Sequence, residues 1–486
     1  MILKSITIQE INFHDAYVNG IKKIKLLSNF DRYMTIFWFL GPFIYLIERD
    51  PADLWLTLLA LVFLIRSFVK KDWDWCNQIW FKLAIAFWIS SLVSASLSPD
   101  PIFSLSQGIP WIRFPLFAAA SQAWFGKDRD MRILMFISII LGLLIMNFIL
   151  FAEVLIDPKI RLTWPYGDTI PGVYLAKFGL PIICTLFVLN FNKINFVISL
   201  FLIFTITILF LTGERTHFIL LICSCFMSSV FWKPKFLRYI ISSITILGIV
   251  IVASHFRPDT FNRFFPIQQF FSQGYYIIMY ALQDEEVHSL VNQSKKVING
   301  TNKINPIFEF MSSSQLKKFN SNTLPVENYN KIQDGYNIAK NISIGSYWGA
   351  WRGGIQQGLE KPFLGIGPSG TRNTCASLPK NSPSWLPGEN YCGNHPHNFY
   401  VQLFAETGTI GLSLGILMFF FIIKSSYLAR KINKNCPMTS IAFVIPFALF
   451  FPIQQFGSFF GQWGNLFIWF SIGFSLSQYQ GWKKNE

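Results

Sequence analysis

Apolar residues fall in long runs along this chain, separated by short polar turns, with no internal repeat and no heptads. Each run is roughly 16 to 22 residues, about the length a helix needs to cross the hydrocarbon of a bilayer. Twelve such runs are read, near 33–48, 52–69, 79–98, 105–125, 131–152, 171–189, 195–212, 216–232, 236–254, 408–428, 438–456 and 462–479. The pattern predicts an all-α integral membrane protein with about twelve transmembrane helices. One long hydrophilic segment, 255–396, separates the ninth helix from the tenth. The expected organisation is therefore an arm over 1–32, helices one to nine over 33–254, the segment 255–396, helices ten to twelve over 397–479, and a tail over 480–486. The arm is polar and has no apolar core followed by a small-residue cleavage site, so no removable signal peptide is expected. The first span would itself direct insertion.

Composition narrows the class further. The chain has 486 residues, of which 52% are hydrophobic and 14% charged, and its mean hydropathy is +0.39. That excludes one compact soluble domain, a disordered chain, and a small disulfide scaffold. The net charge of +15 would suggest a nucleic-acid partner in a soluble protein. In a membrane protein it records orientation instead, because Lys and Arg are retained in short cytoplasmic loops. The arm, the tail and the even-numbered turns (66–78, 126–132, 190–194, 233–238 and 424–437) hold 21 basic and 8 acidic residues. The opposite short turns hold 4 basic and 8 acidic residues. Both termini are thus expected in the cytoplasm and the long segment outside, with no nucleic-acid partner. Lys82, Arg113, Lys177 and Glu406 are the charges left with the spans. Lys82 fits a snorkelling side chain near a cytoplasmic end, and Arg113 a structural ion pair with another helix.

The long segment divides by composition. Residues 255–283 are aromatic and partly apolar, as in a helix lying on the membrane surface. Residues 284–345 are rich in Asn, Ser and Lys, as in an insert without a core of its own. From 346 onward Trp, Gly and Pro recur at close spacing. Of the seven cysteines, only Cys375 and Cys392 fall in this segment, which makes them the candidate disulfide of an oxidising compartment. No C-x-x-C accompanies His395 and His397, so zinc is not expected.

Three clusters at the external face can carry chemistry. In Leu211-Thr-Gly-Glu-Arg-Thr-His217, small and donor residues surround Arg215, whose guanidinium can bind phosphate oxygens bidentately or simply snorkel at the surface. In Ser346-Tyr-Trp-Gly-Ala-Trp-Arg-Gly-Gly354, Trp348 and Trp351 fit either sugar stacking or interfacial anchoring. Arg352 there is either a second cation or the partner of Glu360. The glycines and prolines of Lys361-Pro-Phe-Leu-Gly-Ile-Gly-Pro368, including Gly365 and Gly367, mark a tight turn with exposed amides. The third cluster runs from His395 to Gly411. On an ideal helix His397 and Gly408 lie within about 20° of one face, with Gly411 about 40° to the other side. That face would present an imidazole outside and glycines for close helix contact inside, with Glu406 nearly opposite. His397 suits a general base, and Asn398 suits orienting it or capping the helix.

His397-Asn398, nine residues, Gly408, two residues and Gly411 resemble the H-[NSQ]-x9-G-x-x-[GTY] pattern of bacterial O-antigen ligases, whose superfamily includes O-antigen polymerases and protein O-oligosaccharyltransferases. Gly213, Arg215 and Thr216 resemble the family's Gly-x-Arg-Thr element, and Pro362-Phe-Leu-Gly365-Ile-Gly367 its P-x-x-G-x-G turn. The motifs cover roughly residues 200–425. Family members often carry Arg a turn before the Trp of the second cluster, where this chain has Tyr347.

The resemblance implies a GT-C-like, metal-independent and inverting glycosyltransferase of the bacterial inner membrane, working at the periplasmic face without a cofactor. It would move a glycan from undecaprenyl diphosphate to an acceptor hydroxyl, in a ligase a sugar of lipid A-core, with membrane lipids around it. His397 would be the base. Arg215, with Arg352 and Lys177, would offset charge on the diphosphate, and His395, Asn398 and Trp351 would lie in the substrate region. A polymerase or oligosaccharyltransferase shares the donor chemistry. A non-enzymatic carrier of lipid-linked glycans needs polar groups at midplane between repeated halves, and this chain has no repeat.

Overall fold

The computed structural model describes residues 13–157, 161–190, 196–232, 248, 345–374, 395–432, 436–452 and 457–480. Among them the chain forms helices and turns, with no strand. The main helices are α1 (Phe13–Leu26), α2 (Asn29–Phe39), α3 (Arg49–Lys70), α4 (Ile79–Ser96), α5 (Pro101–Gly108), α6 (Arg113–Ala120) and α7 (Arg129–Ile156). They continue with α8 (Leu180–Asn190), α9 (Phe196–Leu211), α10 (Arg215–Trp232), α11 (Gly345–Glu360), α12 (Phe399–Ile432), α13 (Val444–Leu449) and α14 (Gln462–Leu476). Five described helices are long and apolar enough to cross a membrane, and the bent pair Ile170–Phe178 and Leu180–Leu189 makes a sixth if counted as one span. The protein is a multi-pass, all-α membrane protein. The ninth expected span, the surface segment 255–283, the insert up to 344 and the pair Cys375 and Cys392 lie outside the described residues.

Hydropathy locates the helices but not their breaks. The first expected span is α2 followed by a separate turn of helix at Gly41–Ile44. The fourth joins α5, a tight turn at Ile109–Ile112, α6 and a widened turn at Ser121–Phe125. The sixth bends by 52° between Phe178 and Leu180. Pro42, Pro110, Pro115, Pro171 and Pro181 lie in or beside these breaks, where a ring without an N–H cannot continue the ladder.

Among the described residues, the arm and the turns near 66–78 and 126–132, which the charge pattern puts on one side, meet at one end of the bundle. Lys23 of α1 reaches Asp128 and Asp130, both at 2.7 Å. Asp31 gathers Arg66 at 3.2 Å, Lys70 at 2.9 Å and the Trp124 indole at 3.0 Å. Gln122 donates to the Tyr479 carbonyl at 2.6 Å, and Thr439 lies 3.4 Å from Gln478. At the other end the Arg113 guanidinium pairs with Asp53 at 2.8 Å, as the structural reading of that charge expects. Lys82 is exposed, as snorkelling requires.

The centre of the bundle is aromatic. Residues Asn465–Leu476 of α14 are all buried, and a helix apolar all round belongs in the interior. Phe470 stacks on Trp38 at 5.2 Å and packs at a tilt on Phe178 at 4.4 Å, while Trp55 packs on Phe117 at 5.3 Å. Inside a bilayer this packing stabilises through dispersion and shape, because lipid tails are as apolar as the core. Phe470→Ala should therefore cost about 3 kcal/mol, the low end for a buried ring, since the transfer contribution shrinks in lipid. Phe447→Ala, at a ring 41% exposed, should cost little. Thermal unfolding in detergent measures both; equal melting temperatures would refute the central role of Phe470.

Candidate functional site

The expected continuous helix from His397 through Gly411 is not what forms. Helix α12 starts at Phe399, so His397 precedes it, and Gly408 interrupts it with φ 64° and ψ −166°. The single stripe of His397, Gly408 and Gly411 is therefore replaced by a break. A residue with a side chain is disfavoured at that φ, and a Cβ on Gly408 would strike the Phe363 carbonyl.

The break is plugged by the turn at 361–368. In an unbroken helix the amides of Thr409 and Ile410 would donate to the carbonyls of Ala405 and Glu406. Instead Thr409 donates to the Pro362 carbonyl at 2.7 Å and Ile410 to that of Phe363 at 3.3 Å. The released carbonyls of Ala405 and Glu406 accept from the amides of Ile366 and Gly367, both at 2.9 Å. Four backbone groups change partner and none is lost. Gly365, at φ 71°, presses so close that a Cβ would collide with the Glu406 backbone. The glycine-rich turn and the glycine of the His-Gly spacing are thus one structural unit. Gly411 serves the same helix, giving room to the Thr407 side chain rather than to a neighbouring helix.

Glu406 is the second fastening, and it is missed by a helical-wheel argument that only places it away from His397. Its carboxylate is 0% exposed. It accepts from the Thr371 hydroxyl at 2.7 Å, the Ser369 amide at 2.9 Å and the Gln402 amide at 3.0 Å. Its carbonyl takes a further bond from the Ser94 hydroxyl of α4 at 2.8 Å. Gln402 also accepts from the Phe459 amide at 2.7 Å and reaches Ser458 at 3.0 Å.

His397 sits at φ 56°, a left-handed conformation that costs free energy in a non-glycine residue and is held only when its surroundings demand it. Asn398 supplies the demand. It is 4% exposed, its side-chain oxygen caps α12 by accepting from Tyr400 and Val401, and its amide donates to the Pro452 carbonyl at 2.6 Å. Tyr400 adds a short hydroxyl bond to the Phe450 carbonyl. Asn398 thus fills the capping role. The His395 and His397 rings are 4.2 Å apart between centroids. Burial, then His397 and Arg372, push the His395 imidazole down to about 4, so it is neutral near pH 7.

Helix α11, which carries Trp351, half-buried, and Arg352, 3% exposed, lies against the start of α12. It packs on α12 through Gly354 and Gly358. A Cβ on Gly354 would lie 2.8 Å from both Pro396 and Val401, and one on Gly358 would strike the Phe404 ring. This small-x-x-x-small pattern was legible in the sequence as Gly354-Ile-Gln-Gln-Gly358 and identifies α11 as a close-packing helix.

Arg215 stands in a second group. It opens α10 and is exposed. Beside it, Glu214 lies 3.6 Å from both Arg161 and the His217 imidazole. Lys177, 2% exposed, is within electrostatic range of His217, and its carbonyl accepts from Ser471 at 2.6 Å. The C-terminal ends of α10 and α12 meet where Arg430 donates to the Phe231 carbonyl at 3.0 Å. Two spanning helices whose C-terminal ends meet carry their N-terminal ends, with Arg215 and His397, to the opposite end of the bundle.

Fold and site define a helical membrane protein with histidines and cations gathered at one end. Residues 200–416, which hold all three clusters, match the family model described as O-antigen ligase. The matched segment is a domain of the O-antigen ligase superfamily, a family of glycosyltransferase-like enzymes. No curated protein matches it in a sequence comparison.

Gly408→Ala should destabilise the protein by about 1–3 kcal/mol or more, from the left-handed φ and the clash with Phe363. Gly464→Ala, where a Cβ meets nothing within 4 Å, should be silent. Melting curves of the two variants compare them directly, and an unchanged Gly408→Ala would show that the turn does not need this glycine.

Proposed function

We propose that this protein is an O-antigen ligase of the bacterial inner membrane, with about twelve spans and with 255–396 in the periplasm. It transfers a polysaccharide from undecaprenyl diphosphate to a sugar hydroxyl of lipid A-core. The observation that carries the reading is the strained, capped turn that holds His397 beside the Arg352 helix, at the same end as Arg215.

His397 takes the proton from the acceptor hydroxyl as its oxygen forms the new bond to the donor's anomeric carbon. The bond from that carbon to the diphosphate oxygen breaks on the opposite face, which inverts the configuration. Negative charge grows on the departing diphosphate, where Arg215, Arg352 and Lys177 offset it. His395 and Trp351 lie in the same substrate region, His395 as a neutral ring. The donor already carries its activated leaving group, so the chemistry calls on no metal and no cofactor.

His397→Ala in a strain lacking the native protein should abolish long glycan on lipid A-core while polymerised donor accumulates, a loss of about 100-fold or more for a missing base. The readouts are the lipopolysaccharide ladder and extracted lipid-linked glycan. Short undecaprenyl-linked repeats piling up instead would indicate a polymerase, and an unaltered ladder would remove His397 from catalysis. Arg215→Lys keeps charge but loses the bidentate fork, and transfer should fall in the same assay. Full activity in that variant would reduce Arg215 to an interfacial anchor.

A further inference from the structure

The turn of helix Gly370–Asn373 lies against the site and presents one residue that the family motifs leave aside, Arg372. Both of its neighbours are fastened. Thr371 is buried, gives its hydroxyl to Glu406 at 2.7 Å, and its carbonyl accepts from Gln357 of α11 at 3.2 Å. Asn373 reaches Asp100 at 3.4 Å. Thr374 takes a further bond from Gln357 at 2.8 Å. Ser369, which begins the turn, is held at φ 56° with its amide on Glu406. A buried carboxylate and a strained residue therefore fix the backbone on either side of Arg372.

Arg372 itself is exposed, and among the described residues its guanidinium has no carboxylate partner. It is close enough to His395 to disfavour a proton on that ring. The His395 Nε2 is buried and has no hydrogen-bond partner among the described residues. A cation with no carboxylate partner among the described residues, mounted on a fastened turn beside a neutral imidazole, is suited to an anion that arrives with substrate. A guanidinium favours phosphoryl oxygens because its planar fork matches two of them at once.

We propose that Arg372 binds a phosphoryl oxyanion of a lipid substrate on the His397 side of the site. This rests on the reading of the site as one for lipid-linked glycan, and it adds a substrate-contacting arginine on the turn that Glu406 holds. Glu406 is then a positioning residue, acting through that turn.

Binding of undecaprenyl diphosphate, bisphosphorylated lipid A and uncharged undecaprenol to the full-length protein in detergent tests it, with wild type set against Arg372→Gln. The variant should melt as wild type does and bind undecaprenol equally, but lose at least about tenfold in affinity for a phosphorylated lipid, the worth of a charge-assisted hydrogen bond. A loss for undecaprenyl diphosphate names the donor as the source of the phosphate, and a loss for lipid A names the acceptor. Unchanged affinity for both, with wild type preferring either to undecaprenol, would overturn this inference alone. A wild type that prefers neither phosphorylated lipid to undecaprenol would overturn the proposed function along with it.

Discussion

Where water is absent, a backbone amide or carbonyl without a partner costs several kcal/mol, so a helix can be broken there only if another segment completes it. The exchange of partners at Gly408 meets that requirement. Two amides and two carbonyls released by the break are taken up by the turn from Pro362 to Gly367. The turn must come within backbone contact of α12 to do so, which is why Gly365 and Gly408 both lack a Cβ. The His397 side of the site is built outward from this contact.

Glu406 extends the unit in two directions, to Ser369 and Thr371 on the turn and to Gln402 on its own helix. Gln402 carries the connection to Ser458 and Phe459, and Ser94 ties the same turn of helix to α4. Such a network stabilises only when every member is satisfied, and then it favours a single arrangement. Here it fixes the start of α12, and with it the left-handed residue that bears the imidazole. In the proposed function, rigid support of this kind would give His397 and the cations a fixed relation to a lipid-linked substrate.

Much of the fold was legible because bilayer thickness imposes a length on each apolar run. Helices α3, α4, α7, α9 and α10 fall within a few residues of their expected spans. Among the described residues, paired Lys, Arg and Asp side chains join at one end the arm and two of the turns that the charge pattern groups together. The breaks were less legible, since a mean hydropathy is blind to which carbonyls are paired. In the site, the clusters around Arg215, Arg352 and His397 were visible as motifs. The wheel that put Gly408 and His397 on one face failed because His397 precedes the helix and Gly408 interrupts it.

The sequence by itself determined that this is a helical membrane protein, which faces of the bundle carry positive charge, and which histidine has the family spacing to two glycines. These follow from local composition and spacing, which one stretch of chain can express. Only the tertiary structure decided why those glycines are there, that Glu406 is a fastening rather than a bystander, and that Arg372 stands on the fastened turn. The break at Gly408, the fastening by Glu406 and the mounting of Arg372 depend on hydrogen bonds between segments far apart in the chain, and no local pattern specifies such a partner.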